Sequence, residues 1–129
     1  MRIDHVALFC NDLEGMMDFF MRFFAAKPNE LYHNPRTGLK TYILSFPDGD
    51  ASLEIMHRPD VDKSIGDEYC HIGYIHLSLS VGSKEKVDFL TLSLKEAGYR
   101  VLSGPRTTGD GYYESCVVGP EKILIEITV

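Results

Sequence analysis

Two histidines and two glutamates recur at one spacing in this 129-residue chain. His5 and His76 lie 71 residues apart, and Glu54 and Glu126 lie 72 apart. Within the halves, Glu54 follows His5 by 49 residues and Glu126 follows His76 by 50. Both glutamates sit in apolar runs, "SLEIM" at 52–56 and "ILIEI" at 123–127. Such runs read as strands buried on at least one face. An ionised carboxylate in such a place is costly unless something pairs with it. Two imidazoles and two carboxylates form a donor set for a divalent metal such as Zn, Ni, Fe, Mn or Co, which would also compensate the carboxylates. Taken singly, a strand histidine is more often a hydrogen-bonded core residue, and Glu126 could be the solvent side of a last strand. The matched spacing of all four favours metal. His33, His57 and His71 lack this pairing and read as surface or loop residues.

The elements that must position these four are themselves repeated. The polar stretch "RPDVDKSIGDEY" (58–69) divides the chain into similar halves. "RIDHVALFC" opens the first and "GYIHLSLSV" the second, each an alternating strand with a central His. A helix follows in each. Asp12 is the expected N-cap of the first, with Leu13, Met16, Phe20, Phe23 and Phe24 at helical spacing. Ser83 is the expected N-cap of the second, with Val87, Leu90, Leu94 and Ala97 as its apolar stripe and Gly98 as its stop. Strand-like runs complete both halves: one around 30–34, then "LKTYILSF" and "ASLEIM" in the first, and "YRVLS", "YYESCVV" and "ILIEITV" in the second. "FPDGD" (46–50) and "VGPEK" (118–122) are turns before each last strand. Strand, helix and three strands thus occur twice, an internal duplication.

Strand parity adds direction. Residues two apart share a face. Val6 and Leu8, and Ile75, Leu77 and Leu79, suit packing beneath the helices, which leaves His5 with Ala7 and His76 with Ser78 on the other face. Glu54 shares a face with Ser52 and Met56, away from Leu53 and Ile55. Glu126 shares one with Leu124 and Thr128, away from Ile123, Ile125 and Ile127. All four polar residues therefore fall on the less apolar faces, and they converge if the two halves cup those faces together. A further stretch, "GPRTTGDGYYES" (104–115), reads as a long turn leading into a strand. Arg106 there could pair with a substrate carboxylate, and Tyr112 or Tyr113 could line the cavity; a flexible hairpin with a solvated Arg is the plainer alternative.

Composition bounds the function. Hydrophobic residues make up 44% and charged residues 25%, the balance of one compact globular domain. A formal net charge of −6 argues against nucleic acid as a partner. No apolar run approaches the roughly 20 residues of a membrane span, and "MRIDHVALF" does not read as a signal peptide. The three cysteines, Cys10, Cys70 and Cys116, form no CxxC pair, which points to a reduced, cytoplasmic compartment. Cys116, in a strand, reads as a small buried hydrophobe.

The motifs "DHVALFCNDLEGMMDFF", "SLEI", "HLSLSV" and "GPEKILIEI" resemble the vicinal oxygen chelate superfamily, which includes glyoxalase I, bleomycin-resistance proteins, methylmalonyl-CoA epimerase, fosfomycin-resistance proteins and extradiol dioxygenases. The resemblance covers the whole chain. It implies an α+β fold of two tandem βαβββ modules, about 1–58 and 73–129 with a linker of about 59–72, forming a U-shaped mixed sheet around the metal with helices outside. Members with ligands in the order His, Glu, His, Glu look like bacterial glyoxalase I, and that order maps onto His5, Glu54, His76 and Glu126. "GPEK" replaces the DPDG-type turn of many relatives, and the family's thiol-binding residues have no clear counterpart. The implied activity is that of a lactoylglutathione lyase. A hemithioacetal of methylglyoxal and a thiol such as glutathione is isomerised through an enediolate to a lactoyl thioester, with Zn or Ni as the first choices of metal and Co, Mn or Fe after them. Glu126 is the first candidate for the base and Glu54 the second. An acyl-thioester epimerase, an Fe(II) extradiol dioxygenase using His5, His76 and Glu126, a thiol transferase acting on an antibiotic, and a non-enzymatic binding or resistance module are the alternatives. Relatives commonly build composite sites, so a homodimer is expected, with His5 and Glu54 from one chain meeting His76 and Glu126 from the other.

Overall fold

A computed structural model of the chain describes residues 3–61 and 74–129. Cys70, His71 and most of the expected linker lie outside the described residues. The chain divides into two compact units, Met1–Ser64 and Ile65–Val129.

The first unit runs β1 (His5–Phe9), α1 (Leu13–Phe24), β2 (Lys27–Pro28), β3 (Tyr32–His33), β4 (Lys40–Ser45) and β5 (Ser52–His57). Its sheet has the order β1-β5-β4-β2, with β3 also pairing with β4. β1 runs parallel to β5, and β4 antiparallel to it. Asp12 caps α1, its Oδ1 accepting from the Gly15 N–H at 2.9 Å. A Cβ at Gly15 would collide with that same carboxylate, so glycine is what lets the cap close. The apolar stripe buries Leu13, Met16, Phe19 and Phe20 against Leu44, Leu53 and Ile55, the inward-facing residues of β4 and β5. Phe19 joins the stripe although the sequence pattern passed over it. Phe23 and Phe24 remain half-buried, their rings tilted on Phe19 at 5.4 and 5.8 Å.

The second unit repeats the plan with β6 (His76–Ser80), α2 (Lys84–Glu96), β7 (Arg100–Thr107), β8 (Tyr113–Val118), a 3-10 turn (Pro120–Lys122) and β9 (Leu124–Thr128). Its order, β6-β9-β8-β7, again sets first and last strands side by side and parallel. Ser83 caps α2, accepting from the Lys86 N–H at 3.3 Å. The helix ends at Glu96, and Gly98 takes a φ of +93° just beyond it. The α2 core is narrower than its stripe suggested. Val87 and Leu94 are buried, Leu90 only half so, Ala97 is exposed, and Thr91 takes the remaining inward position. Ile125, Ile127, Val117 and Ser115 complete that core.

Two differences from the sequence expectation concern the second strand of each unit. In the first unit it is broken. Between β2 and β3, Asn29 stands in for the ladder, its Oδ1 accepting from the Ile43 N–H at 2.7 Å and its own N–H donating to the Ile43 carbonyl at 3.0 Å. Pro28, which has no N–H to give, precedes it. In the second unit the strand runs on through Thr107, with irregular register near Ser103 and Arg106. Arg106 therefore lies on a strand and not in a long turn; the turn is confined to residues 108–112.

Candidate metal centre

β1 and β5 bring the first pair together. His5 registers with Ser52 and Ala7 with Glu54, so the imidazole and the carboxylate share a face of neighbouring parallel strands. Leu53 and Ile55, at 2% and 0% exposure, point to the helix side, which turns Glu54 the other way. The result is His5 Nε2 at 3.9 Å from Glu54 Oε2. Glu54 Oε1 accepts from the buried Thr41 hydroxyl at 3.0 Å. His5 Nδ1 lies 3.1 Å from Asp4 Oδ2, a carboxylate that suits Nδ1–H and leaves Nε2 free to ligate. Asp4 was legible as the neighbour of His5, but its use of Nδ1 was not.

The second unit repeats the pair. Ser78 registers with Glu126 across β6 and β9, and Ile125 and Ile127 are fully buried on the opposite face. His76 Nε2 stands 3.7 Å from Glu126 Oε2. Glu126 Oε1 accepts from the Ser78 hydroxyl at 2.6 Å. The glutamate side chains are 23% and 20% exposed and the histidines 48% and 43%, so both pairs are sheltered yet reachable.

The donor chemistry and spacing of these pairs fit metal ligation. Two donors each about 2.1 Å from one tetrahedral ion stand about 3.4 Å apart, and both pairs are within about half an ångström of that. Each unit thus offers one imidazole and one carboxylate suited to a dication. Neither is a full ligand set, and no cluster of three or more His, Cys, Asp or Glu side chains arranged to hold an ion occurs among the described residues.

Further residues share the Glu126 face of the second unit. Cys116 registers with Glu126, and Glu114 with Thr128, which places both beside the glutamate. Burial first, then the Glu126 charge, holds the Glu114 carboxyl above the usual carboxylate range, with Arg106 and His76 pulling it back down. Cys116 is half-buried and not the core residue its strand position suggested; burial, Glu126 and Glu114 push its thiol up. Arg106 registers with Glu114 across β7 and β8 on this same face. Tyr113 alternates to the α2 side. Its hydroxyl donates to Asp88 Oδ1 at 2.6 Å and its ring lies 5.0 Å from the Lys84 ammonium. Tyr112 is 60% exposed in the turn. His57 ends β5 half-buried, its Nδ1 3.1 Å from the Cys10 carbonyl, and so is not a loop residue. His33 is exposed on β3.

Comparison with known proteins bears on the fold and the family. The family described as the Glyoxalase/Bleomycin resistance protein/Dioxygenase superfamily matches residues 2–127. The chain is 28% identical over 131 residues to the uncharacterized protein YqjT of Bacillus subtilis (strain 168), covering 95% of this chain and 94% of that one. A glyoxylase/bleomycin resistance protein/dioxygenase domain from Frankia sp. EAN1pec superposes with a TM-score of 0.83 at 19% identity, over 100% of this chain and 97% of that one. The trypanothione-dependent glyoxalase I of Leishmania major gives 0.78 at 18%, over 99% and 86%. At these identities the structural likeness is one of fold. The family match runs almost from end to end, and the chain belongs to the glyoxalase/bleomycin resistance protein/dioxygenase superfamily.

Proposed function

We propose that this protein is a metal-dependent lyase of the glyoxalase I type, isomerising the hemithioacetal of methylglyoxal and a thiol such as glutathione to a lactoyl thioester. One observation carries the reading: each unit holds its own His–Glu pair, with Nε2 and Oε2 3.9 and 3.7 Å apart, on equivalent strands of a duplicated fold. His5, Glu54, His76 and Glu126 would hold the ion, Zn or Ni before Co, Mn or Fe. When bound, it supplies positive charge to oxygens that become negative as the substrate carbon loses its proton.

The chain's own groups do the rest. Glu126 takes the proton from the hemithioacetal carbon and returns it to the neighbouring carbon; Glu54 is the second candidate. No oxidant or reductant is needed: the carbon proton passes to the neighbouring carbon, the hydroxyl proton passes to the neighbouring oxygen as hydroxyl and carbonyl exchange places, and the product is an isomer of the substrate. Arg106, on the ligand face of the second unit, supports a substrate carboxylate. The working assembly is a homodimer with two sites, each taking one pair from either chain.

The test is elemental analysis of purified protein, then reconstitution with Zn(II) and Ni(II) and assay with methylglyoxal and a panel of thiols, following the thioester absorbance. One equivalent of metal per site and thiol-dependent turnover are expected. Metal-loaded protein that turns over no thiol hemithioacetal would refute the lyase reading.

A further inference from the structure

We propose that Thr41 and Ser78 are positioning residues that restrict Glu54 and Glu126 to one metal-facing oxygen each; this rests on the metal-centre reading above. In both units Oε1 accepts a hydroxyl hydrogen bond, at 3.0 Å from Thr41 and 2.6 Å from Ser78, while Oε2 faces the imidazole. A carboxylate engaged in this way has one oxygen occupied and its plane fixed. It presents a single donor, where a free carboxylate can swing to present two.

The two hydroxyls are not inherited copies of one residue. Ser78 registers with Glu126, and the residue registering with Glu54 at that place is Ala7. Thr41 registers with Met56, two residues past Glu54, and the residue at the matching place two past Glu126 is Glu114, opposite Thr128. Thr41 reaches its glutamate from β4, on one side, and Ser78 from β6, on the other. Where one unit lost or never had the hydroxyl, the other strand provides it. Two unrelated positions serving the same oxygen of the same residue type is the pattern of a device required by the site.

Thr41→Val keeps shape and removes the donor; Ser78→Ala removes the donor on an exposed strand. The affinity of each for Zn(II) is measured by competition with a chromophoric chelator, and the coordination of bound Zn(II) by X-ray absorption. Each variant is expected to bind Zn(II) about 10- to 100-fold more weakly, with a rise in the number of oxygen neighbours as the freed carboxylate swings round. Thr41→Ser, which restores the hydroxyl, is expected to recover affinity to within about threefold of wild type. If Thr41→Val does not fold, Ser78→Ala with Ser78→Thr as its rescue carries the same comparison. Wild-type affinity and unchanged coordination in the donor-less variants would overturn the inference while leaving the metal centre standing. A wild-type protein that binds none of Zn(II), Ni(II) or Co(II) would overturn the metal centre itself, and the inference with it.

Discussion

The hydroxyl pair behind the second unit's ligand face gives a sharp test of how that sheet is held. Ser115 is fully buried on β8 and Thr91 nearly so on α2, with their oxygens 2.6 Å apart. Thr91 Oγ1 also donates to the Val87 carbonyl at 2.6 Å. A hydroxyl has one proton, so with that of Thr91 spent on Val87, Ser115 must be the donor in the shared contact. The two single substitutions are therefore unequal. Ser115→Ala removes the donor and leaves Thr91 still donating, for a loss of about 0.5–1.5 kcal/mol, one net hydrogen bond. Thr91→Val is nearly isosteric but strands the fully buried Ser115 hydroxyl, for about 1–3 kcal/mol. The double variant strands nothing, so it should be no less stable than Thr91→Val alone. Urea unfolding followed by far-ultraviolet circular dichroism reads all four proteins; with a slope of roughly 1–3 kcal/mol per molar urea, the larger loss moves the midpoint by about 1 M. If the double variant loses the sum of the two singles to within about 0.5 kcal/mol, the assigned proton order is wrong.

Further expectations concern the site. Glu126→Gln should lower kcat by about a hundredfold or more while Arg106→Ala chiefly raises KM, both read from steady-state kinetics; near wild-type kcat in metal-loaded Glu126→Gln would move the base to Glu54. Mixing His5→Ala and His76→Ala chains under conditions of subunit exchange should restore part of the activity if the pairs meet across chains, because one site of the heterodimer is then intact; no return places the whole site in one chain. Glu114 has a carboxyl raised by burial and by Glu126, so the metal-free native state binds more protons there than the unfolded chain and loses stability as pH climbs through the raised value. Glu114→Gln should therefore stabilise the metal-free protein at pH 7 by less than about 1 kcal/mol, since the group is partly solvated, and the gain should vanish below the ordinary carboxylate range; a gain that grew on acidification would contradict the sign.

What the sequence disclosed was whatever repeats or alternates. The 71-residue spacing carries the caps as well as the histidines, and Asp12 and Ser83 both cap as read. Alternation at Leu53 and Ile55, and at Ile125 and Ile127, turned the glutamates to the correct face because burying those four side chains leaves the backbone no other register. The edge strands were harder. Val6 is 38% exposed and Leu8 only half-buried, so an alternating pattern overstated how far β1 is covered. Thr41, Ser78 and Glu114 reach their roles through pairing between strands, which no window along the chain contains. The broken second strand of the first unit depends on Asn29 imitating a backbone group, and a single Asn carries no such signal. Tyr113 was open between two faces until its bond to Asp88 fixed it on the helix side.

The confinement of each His–Glu pair to its own unit bears on ancestry. A lone βαβββ peptide holding one such pair would acquire two imidazoles and two carboxylates merely by associating with a copy of itself. On the proposed ligand set, duplication and fusion of such a peptide would have had no ligand to invent; its effect would be to release two copies from identity. Thr41 against Glu114 and Ala7 against Ser78 are differences of that kind, ones that a symmetric assembly of identical units would have to carry in both halves of its site at once.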